Sequence, residues 1–190
     1  IEERYLRRLS IIVELKKVLV SEQKELSLSY QPKLNIGANK IKSVEALIRW
    51  NSPTLGFVSP EDFINIAEQA GFIDKITEWV INRAISDALL IQQAGIDLCI
   101  AINLSANDVM NEDLLPYVVN LLEQNNLPRS VLSFEITESD VVKDPEKAIK
   151  HLSAFREYGF ILAIDDFGTG YSSMAYLKNL PVDTLKVDKS

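Results

Sequence analysis

The feature that most constrains the fold of this chain is a pattern that occurs five times along it. A short apolar run ends in a polar or charged residue and is followed by a loop and a segment with helical periodicity. The clearest example is the run 161–164, which ends in the adjacent carboxylates Asp165 and Asp166 and then in a loop bracketed by Gly168 and Gly170. The other four runs end in Glu45, Asn103, Glu135 and Lys186.

This repetition predicts an α/β fold with a single cavity at one end. Strands that alternate with helices form parallel sheets, and in a parallel barrel the carboxyl ends of all strands meet on one rim. Asp165 or Asp166 alone could equally well cap the next helix, because Asp is a favoured N-cap residue. Two neighbouring carboxylates in a pocket need a cation or hydrogen-bond donors, however, and the repetition favours a ring of polar groups around one site.

Composition and charge narrow the class of protein. The 190 residues are 47% hydrophobic and 25% charged, which is typical of one globular domain. A formal net charge of −7 argues against a broad phosphate-binding surface, so we expect no DNA partner. The single cysteine, Cys99, excludes a disulfide framework and predicts a reducing compartment, with the cytoplasm as the default. No apolar run approaches the length of a membrane span.

The first 24 residues form an amphipathic helical pattern that has two interpretations. The helix either packs on its own domain or is a signalling linker that arrives from an upstream domain. We favour the linker, because the chain begins without a start residue, and we assign residues 25–190 to the main domain.

Local signals predict the order of the elements within that domain. The alternating segment 26–32 predicts a first strand that ends at Pro32, and turn residues at 35–39 predict an antiparallel hairpin with the strand 41–50. Ser59 is predicted as an N-cap residue. Helices are predicted at 60–69, 73–94, 111–124, 144–158 and 171–178. We count six strands, whereas a closed barrel of this type has eight, so about two βα units are expected to be missing.

Five motifs occur in a characteristic order, and together they resemble one family. They are EALIRW at 45–50, NLS at 103–105, EITES at 135–139, DDFGTG at 165–170 and KVD at 186–188. The chain is similar to the EAL-domain family of cyclic di-GMP phosphodiesterases from about residue 25 to its end. The resemblance implies a modified TIM-type (β/α)8 barrel that hydrolyses cyclic di-GMP to linear pGpG with Mg²⁺ or Mn²⁺, two ions per site.

The resemblance also implies roles for individual residues. The implied metal ligands are Glu45, Asn103, Glu135 and Asp165, with Asp166 at the second metal. Lys186 completes a catalytic set with Glu45, Asp165 and Asp166, and it matches the lysine beside the nucleophilic water. The remaining matches are Gln31 and Arg49 for substrate binding, Glu138 as anchor of the glycine loop and Asp188 as a supporting acid of the rim.

The chemistry of these residue types agrees with those roles. Phosphodiester hydrolysis needs an activated water and neutralised phosphate charge, which two neighbouring cations supply. Oxygen ligands suit Mg²⁺ or Mn²⁺, and a chain with one histidine and one cysteine does not offer a conventional zinc site. Lys186 could also form a salt bridge with Asp188, and both roles are compatible. His151 is expected to be a surface or groove residue, and Cys99 to serve packing.

Two classes of function remain open at this stage. The last two strands of the family carry a further metal-binding glutamate and a glutamine, to which no residue here can be assigned. The chain therefore belongs either to a phosphodiesterase or to a cyclic di-GMP receptor without turnover, and the intact metal set favours the enzyme over the receptor or a scaffold. The resemblance further implies a homodimer, with an upstream sensor or GGDEF domain and possible membrane anchoring through segments outside this chain.

Overall fold

The computed structural model describes residues 2–21, 25–142, 144–167 and 180–187. The helices in these ranges are α1 (Glu2–Leu19), α2 (Pro60–Gln69), α3 (Ile73–Gln93), α4 (Ala106–Val109), α5 (Leu114–Gln124), α6 (Glu138–Val142) and α7 (Pro145–Glu157). The strands are β1 (Leu26–Asn35), β2 (Lys40–Ser52), β3 (Gly56–Val58), β4 (Cys99–Leu104), β5 (Leu132–Thr137), β6 (Ile161–Phe167) and β7 (Thr184–Val187). The predicted helix at 171–178 lies outside the described residues.

The strands form one mixed sheet in which most pairs are parallel. Its order is β1-β2-β4-β5-β6-β7, with β3 on the side of β2. β1 and β2 pair antiparallel, as the turn residues predicted, and the pairs from β2 through β7 along this order are parallel. The described strands number seven rather than the six counted from the sequence, because the three-residue β3 is too short to show a periodicity.

The predicted end of the first strand at Pro32 is wrong. β1 continues to Asn35, and Pro32 lies opposite Val44 in the hairpin. A proline cannot donate a ladder hydrogen bond, but β1 is the first strand in the order and has β2 as its paired neighbour among the described strands. An edge position therefore accommodates Pro32, and the register shifts only after Lys33.

Alternation along the strands separates an apolar face from a small and polar face. On β2, the side chains of Val44, Ala46, Ile48 and Trp50 are buried in the hydrophobic core. The ring of Trp50 meets that of Phe63 on α2 edge-on, with centroids 5.6 Å apart. The intervening residues of β2, such as Glu45 and Arg49, face the opposite side. The helices thus cover one face of the sheet and leave the other for polar side chains.

The sheet curls strongly around its polar face. Lys186 on β7 reaches Glu45 on β2, with Nζ and Oε2 3.3 Å apart, although β4, β5 and β6 lie between these strands. A flat sheet with four strand spacings of about 4.8 Å would separate β2 and β7 by roughly 19 Å. Lysine and glutamate side chains do not span that distance, so the sheet closes toward a barrel.

The helix predictions agree with the structure where the helices are long. α2 and α3 match the predicted segments to within a residue at each end, whereas α5 begins at Leu114 rather than at 111. Ser59 occupies the N-cap position of α2 as predicted, but its side chain makes no capping hydrogen bond. The short helices α4 and α6 were not predicted, because four or five residues do not complete a periodic pattern.

Helix α1 packs on the domain. Its side chains Ile11, Leu15 and Val18 are buried in the core cluster, and it contacts α2 and α3. Tyr5 and Val13 on its other side are each 61% exposed. These contacts are the ones expected if the helix packs on its own domain. Its role as a signalling linker remains a prediction. None of the helices in the described ranges combines the length and hydropathy of a membrane span.

Candidate functional site

Three carboxylates from different strands converge on the polar face of the sheet. Glu45 on β2, Glu135 on β5 and Asp165 on β6 each offer an oxygen, and these oxygens lie within 4.8 Å of one another. Glu135 is 4% exposed, whereas Glu45 and Asp165 are half-buried. The register explains the convergence, because these residues alternate in phase along parallel strands.

Two lysines neutralise much of this negative charge. Nζ of Lys186 lies 2.5 Å from Asp165 Oδ2, 2.6 Å from Glu135 Oε2 and 3.3 Å from Glu45 Oε2. Lys33 on β1 donates a hydrogen bond to Glu135 Oε1, and its Nζ lies 3.8 Å from Glu45 Oε2. Three carboxylates thus face two ammonium groups, and one negative charge of this cluster remains uncompensated.

The pKa of Lys186 is raised above its ordinary value. Partial burial alone lowers this pKa, since it disfavours the charged form. Hydrogen bonds from the ammonium to Asp165 and Glu135, together with the attraction of Glu135 and Glu45, raise it by more. The carboxylates thus favour the protonated form of Lys186, whose ammonium donates hydrogen bonds to all three of them.

Asn103 joins this cluster, whereas Asp166 does not. Asn103 on β4 donates from Nδ2 to Glu45 Oε1 at 2.9 Å. Asp166 is exposed, has a positive φ of 53°, and its backbone N–H donates to Asp165 Oδ1. It lies outside the group of carboxylates whose oxygens approach within 4.8 Å. The strand direction that carries Asp165 into the cluster turns its neighbour away.

A cleft adjoins the cluster at the carboxyl ends of β2 and β4. Its volume is about 350 Å³, and its lining includes Asn103, Arg49, Ser105 and Asp140 beside apolar side chains of α2 and α3. Arg49 donates to the backbone oxygen of Ile48 within this lining. Gln31 lies opposite Glu45 in the β1–β2 register and is exposed. Gln31 is therefore next to Glu45, and Arg49 lines the same cleft as Asn103.

The predicted supporting residues have different placements. Glu138 begins α6 and is 5% exposed, directly after the end of β5. The glycine loop at 168–173 and Asp188 lie outside the described residues. His151 on α7 faces Glu112, with Nε2 and Oε1 3.8 Å apart. Both line a groove of about 210 Å³ whose lining does not include Glu45, Glu135 or Asp165. Cys99 lies on β4, and burial is the main reason that the pKa of its thiol is raised.

Lys33 is the member of the cluster that sequence reasoning missed. It lies two residues after Gln31, and alternation along β1 places both on the face that carries Glu45. The assumption that Pro32 ends the strand removed Lys33 from that pattern. Extending the alternation by one more residue pair would have included it.

The donor set fits a hard divalent cation. Mg²⁺ binds oxygen ligands at about 2.0–2.1 Å, so ligands on opposite sides of the ion are about 4.2 Å apart. At most one pair among three ligands of an octahedral ion is opposite, and adjacent ligands are about 2.9 Å apart. The oxygens of Glu45, Glu135 and Asp165, which lie within 4.8 Å of one another, would therefore draw closer around the ion. The excess negative charge of the cluster also favours a cation.

Comparisons with known proteins agree with this class of site. The model of the EAL domain family matches residues 13–190. The chain is 42% identical over 178 residues to the cyclic di-GMP phosphodiesterase NbdA of Pseudomonas aeruginosa. The matched region covers 93% of this chain and 22% of NbdA. The chain spans about a quarter of the length of such curated relatives.

Solved structures agree on the fold. The PaMucR phosphodiesterase in complex with c-di-GMP has a TM-score of 0.86 and 38% identity, covering 94% of this chain and 72% of that chain. The FimX EAL domain from Pseudomonas aeruginosa bound to c-di-GMP has a TM-score of 0.83 and 26% identity, covering 94% and 71%.

The fold and the site together define a TIM-type α/β barrel in which carboxylates from several strands converge on the polar face of the sheet. The chain belongs to the EAL domain family, whose match begins inside α1. Membership of this family and the TIM-type fold class, both predicted from the motifs, are confirmed. EAL enzymes are metal-dependent, and the acidic cluster of this chain could bind a metal ion.

Proposed function

We propose that the protein containing this chain hydrolyses cyclic di-GMP to linear pGpG with Mg²⁺ or Mn²⁺. The observation that carries the proposal is the convergence of Glu45, Glu135 and Asp165 with Lys186 on one face of the sheet. A pure receptor has no need of such a cluster. Similarity to proteins named as cyclic di-GMP phosphodiesterases supports the substrate.

The proposed metal ligands are the residues that the motifs indicated. The carboxylates of Glu45, Glu135 and Asp165 and the amide oxygen of Asn103 would hold one cation, and Asp166 would contribute to a second. When bound, two divalent cations activate a water and neutralise charge on the phosphate. The assignment of Asp166 rests on the motif DDFGTG, and its side chain, which lies outside the cluster, would have to turn toward the cluster to reach the second ion.

The remaining residues would bind the substrate and stabilise charge. Lys186, held as an ammonium by its carboxylate partners, would orient the water and stabilise negative charge on the phosphate. Arg49 would bind a phosphate through its planar guanidinium, and Gln31 would contact the dinucleotide. The cleft beside Asn103 and Arg49 would receive part of the substrate.

Two supporting roles and the wider setting complete the proposal. Glu138 would anchor the glycine loop, and its burial beside β5 supports a structural role; Asp188 would support the rim. We also propose a cytoplasmic homodimer with an upstream sensor or GGDEF domain. The modest share of its relatives' length that this chain covers supports the presence of further domains in such proteins.

The test is formation of pGpG by the full-length protein and by its Glu45→Ala variant. The variant should lose turnover by about 10² or more, because a charged ligand in a water-poor site is removed. Glu157→Ala, which removes an exposed carboxylate on α7, is the matched control and should retain activity. Wild-type protein that binds cyclic di-GMP with metal present but forms no pGpG would show the receptor alternative to be right.

A further inference from the structure

The side chain of Lys33 occupies a position for which the proposed reaction has no use. Its ammonium donates to Glu135 Oε1 and lies 3.8 Å from Glu45 Oε2. The other oxygen of Glu135 accepts from Lys186 at 2.6 Å. Both oxygens of this buried carboxylate are therefore paired with ammonium groups, and Lys33 contacts two of the proposed metal ligands.

Strand pairing fixes the backbone of Lys33, whereas its partly exposed side chain can change conformation. Lys33 pairs opposite Ser43 on the antiparallel edge strand, and the register shifts directly after it. Its side chain is 29% exposed, so the flexible stem can swing toward solvent without unfolding β1. Lys186, on the parallel strand β7, contacts three carboxylates. Lys33, on the antiparallel strand β1, contacts two of them.

We propose that Lys33 is an intramolecular counter-ion that competes with the first divalent cation for Glu135 and Glu45. This inference rests on the proposed metal-dependent function. An ammonium and a divalent cation repel each other and use the same carboxylate oxygens, so the ion binds fully only when Lys33, like Lys186, has moved out of contact with those oxygens. The apparent affinity for the cation then equals the intrinsic affinity multiplied by the fraction of molecules in which Lys33 is displaced.

The competition has two consequences for this protein. With Lys33 in place, the site needs a higher concentration of free divalent cation to reach half-saturation than it would need without this lysine. It also keeps the second oxygen of the buried Glu135 paired when no cation is bound, and a buried carboxylate that loses one of its charged partners is destabilised. Lys33 thus acts on the metal ligands and not on the reacting atoms.

The test compares Mn²⁺ binding to four forms of the full-length protein by titration calorimetry and by the electron paramagnetic resonance of free Mn²⁺. Lys33→Gln should bind Mn²⁺ more tightly, on the order of tenfold, which corresponds to about 1.4 kcal/mol. Lys33→Arg keeps the charge and should bind like the wild type. Lys42→Gln removes an exposed charge from the opposite face of the same hairpin and should also bind like the wild type.

Thermal unfolding provides a readout that does not depend on activity. In EDTA, Lys33→Gln should unfold at a lower temperature than the wild type, and saturating Mn²⁺ should remove the difference. Lys33→Met, which keeps the apolar stem, repeats both measurements if the glutamine variant fails to fold. Mn²⁺ binding by the Gln or Met variant that is equal to or weaker than that of the wild type would overturn the inference. Binding by Lys33→Arg that is as tight as that of Lys33→Gln would also overturn it.

The outcomes separate this inference from the proposed function. If the wild type binds Mn²⁺ and forms pGpG while Lys33→Gln shows unchanged affinity, the counter-ion role is wrong and the function stands. If neither the wild type nor any variant binds Mn²⁺, both the metal-dependent function and the counter-ion role are wrong.

Discussion

At the scale of single residues, the same residue type takes different roles according to its surroundings. Glu135 is buried between two ammonium groups, whereas exposed Asp166, next to Asp165 in the chain, lies outside the cluster. Burial without a cation is costly for a carboxylate, so the partners of Glu135 are required by its position. The buried charges therefore identify the site more clearly than the exposed ones.

Lys186→Met tests whether the ammonium group of this lysine contributes to the proposed reaction. We expect turnover to fall by about 10² or more, because a preorganised donor to developing negative charge is lost. The loss should fall mainly on kcat, since Arg49 and Gln31 remain available to the substrate. Rates of pGpG formation measure the effect, and circular dichroism verifies the fold. A variant with the wild-type kcat would contradict the role.

Asp108 provides a dependence of stability on pH. Burial is the main reason that the pKa of Asp108 is raised above 3.8, although hydrogen bonds from Ser105 and Thr77 oppose the shift. A carboxyl whose folded pKa is raised favours the folded state at low pH, and this contribution is lost as pH rises from about 3.8 through the folded pKa. Ionisation of Asp108 therefore lowers the stability of the folded state as the pH rises.

The Asp108→Asn variant removes that titration. Its stability relative to the wild type should increase as the pH rises from 3.8 upward, because only the wild type loses stability through ionisation of this group. Urea unfolding of both proteins across this range measures the difference. A difference that is independent of pH would show that Asp108 is not the group responsible.

At the scale of elements, the four-residue helix α4 begins with a capping box, whereas the longer α2 begins without a side-chain capping hydrogen bond. Ser105 and Asp108 form a reciprocal capping box at the start of α4, with Asp108 N–H donating to Ser105 Oγ at 3.2 Å. The Ser105 N–H donates in return to Asp108 Oδ2 at 2.9 Å. This arrangement fixes the exit of β4 directly after Asn103 and so helps to aim the amide at Glu45.

Ser105→Ala and Ser59→Ala compare a cap that is made with one that is not. The first should cost about 0.5–2 kcal/mol in the free energy of unfolding, because the capping hydrogen bonds are lost. The second should cost clearly less, since the Ser59 side chain makes no capping bond. Urea unfolding measures both, and equal costs would contradict the structure at one of these caps.

At the scale of the whole molecule, curling of the sheet and packing of α1 hold the site together. The curl brings β1 and β7, which are the ends of the strand order, to the same carboxylate Glu135. α1 packs on α2, and α2 in turn lines the cleft beside the carboxylates. A helix that could have been an independent linker is therefore coupled by contact to a wall of the candidate site.

Leu15→Ala tests how firmly α1 belongs to the domain. Leu15 is fully buried, so the substitution should cost about 2–5 kcal/mol and increase amide hydrogen exchange in α1 and α2. Val13→Ala on the exposed side of the same helix is the control and should leave exchange unchanged. Unchanged exchange in the Leu15 variant would contradict the packing of α1 on α2.

Local sequence patterns were sufficient for the elements and residues whose signals are local. Turn residues, periodicity and the motifs were enough for the antiparallel hairpin, the helices α2 and α3 and the polar strand residues Glu45, Asn103, Glu135 and Asp165. Such signals depend on residues that are close together in the sequence, so they can be recognised without knowing the tertiary contacts. The same patterns failed at Pro32, where tolerance of a proline depends on the strand being at an edge.

The sequence by itself determined which strands carry carboxylates and the family to which the chain belongs. Only the tertiary structure decided how these groups meet, because the curl of the sheet brings Lys33 and Lys186 from its two ends to Glu135. It also decided that α1 packs against α2, a contact between surfaces that are distant in sequence. Contacts of this kind depend on the sum of many packing interactions, and no local pattern of residues encodes them.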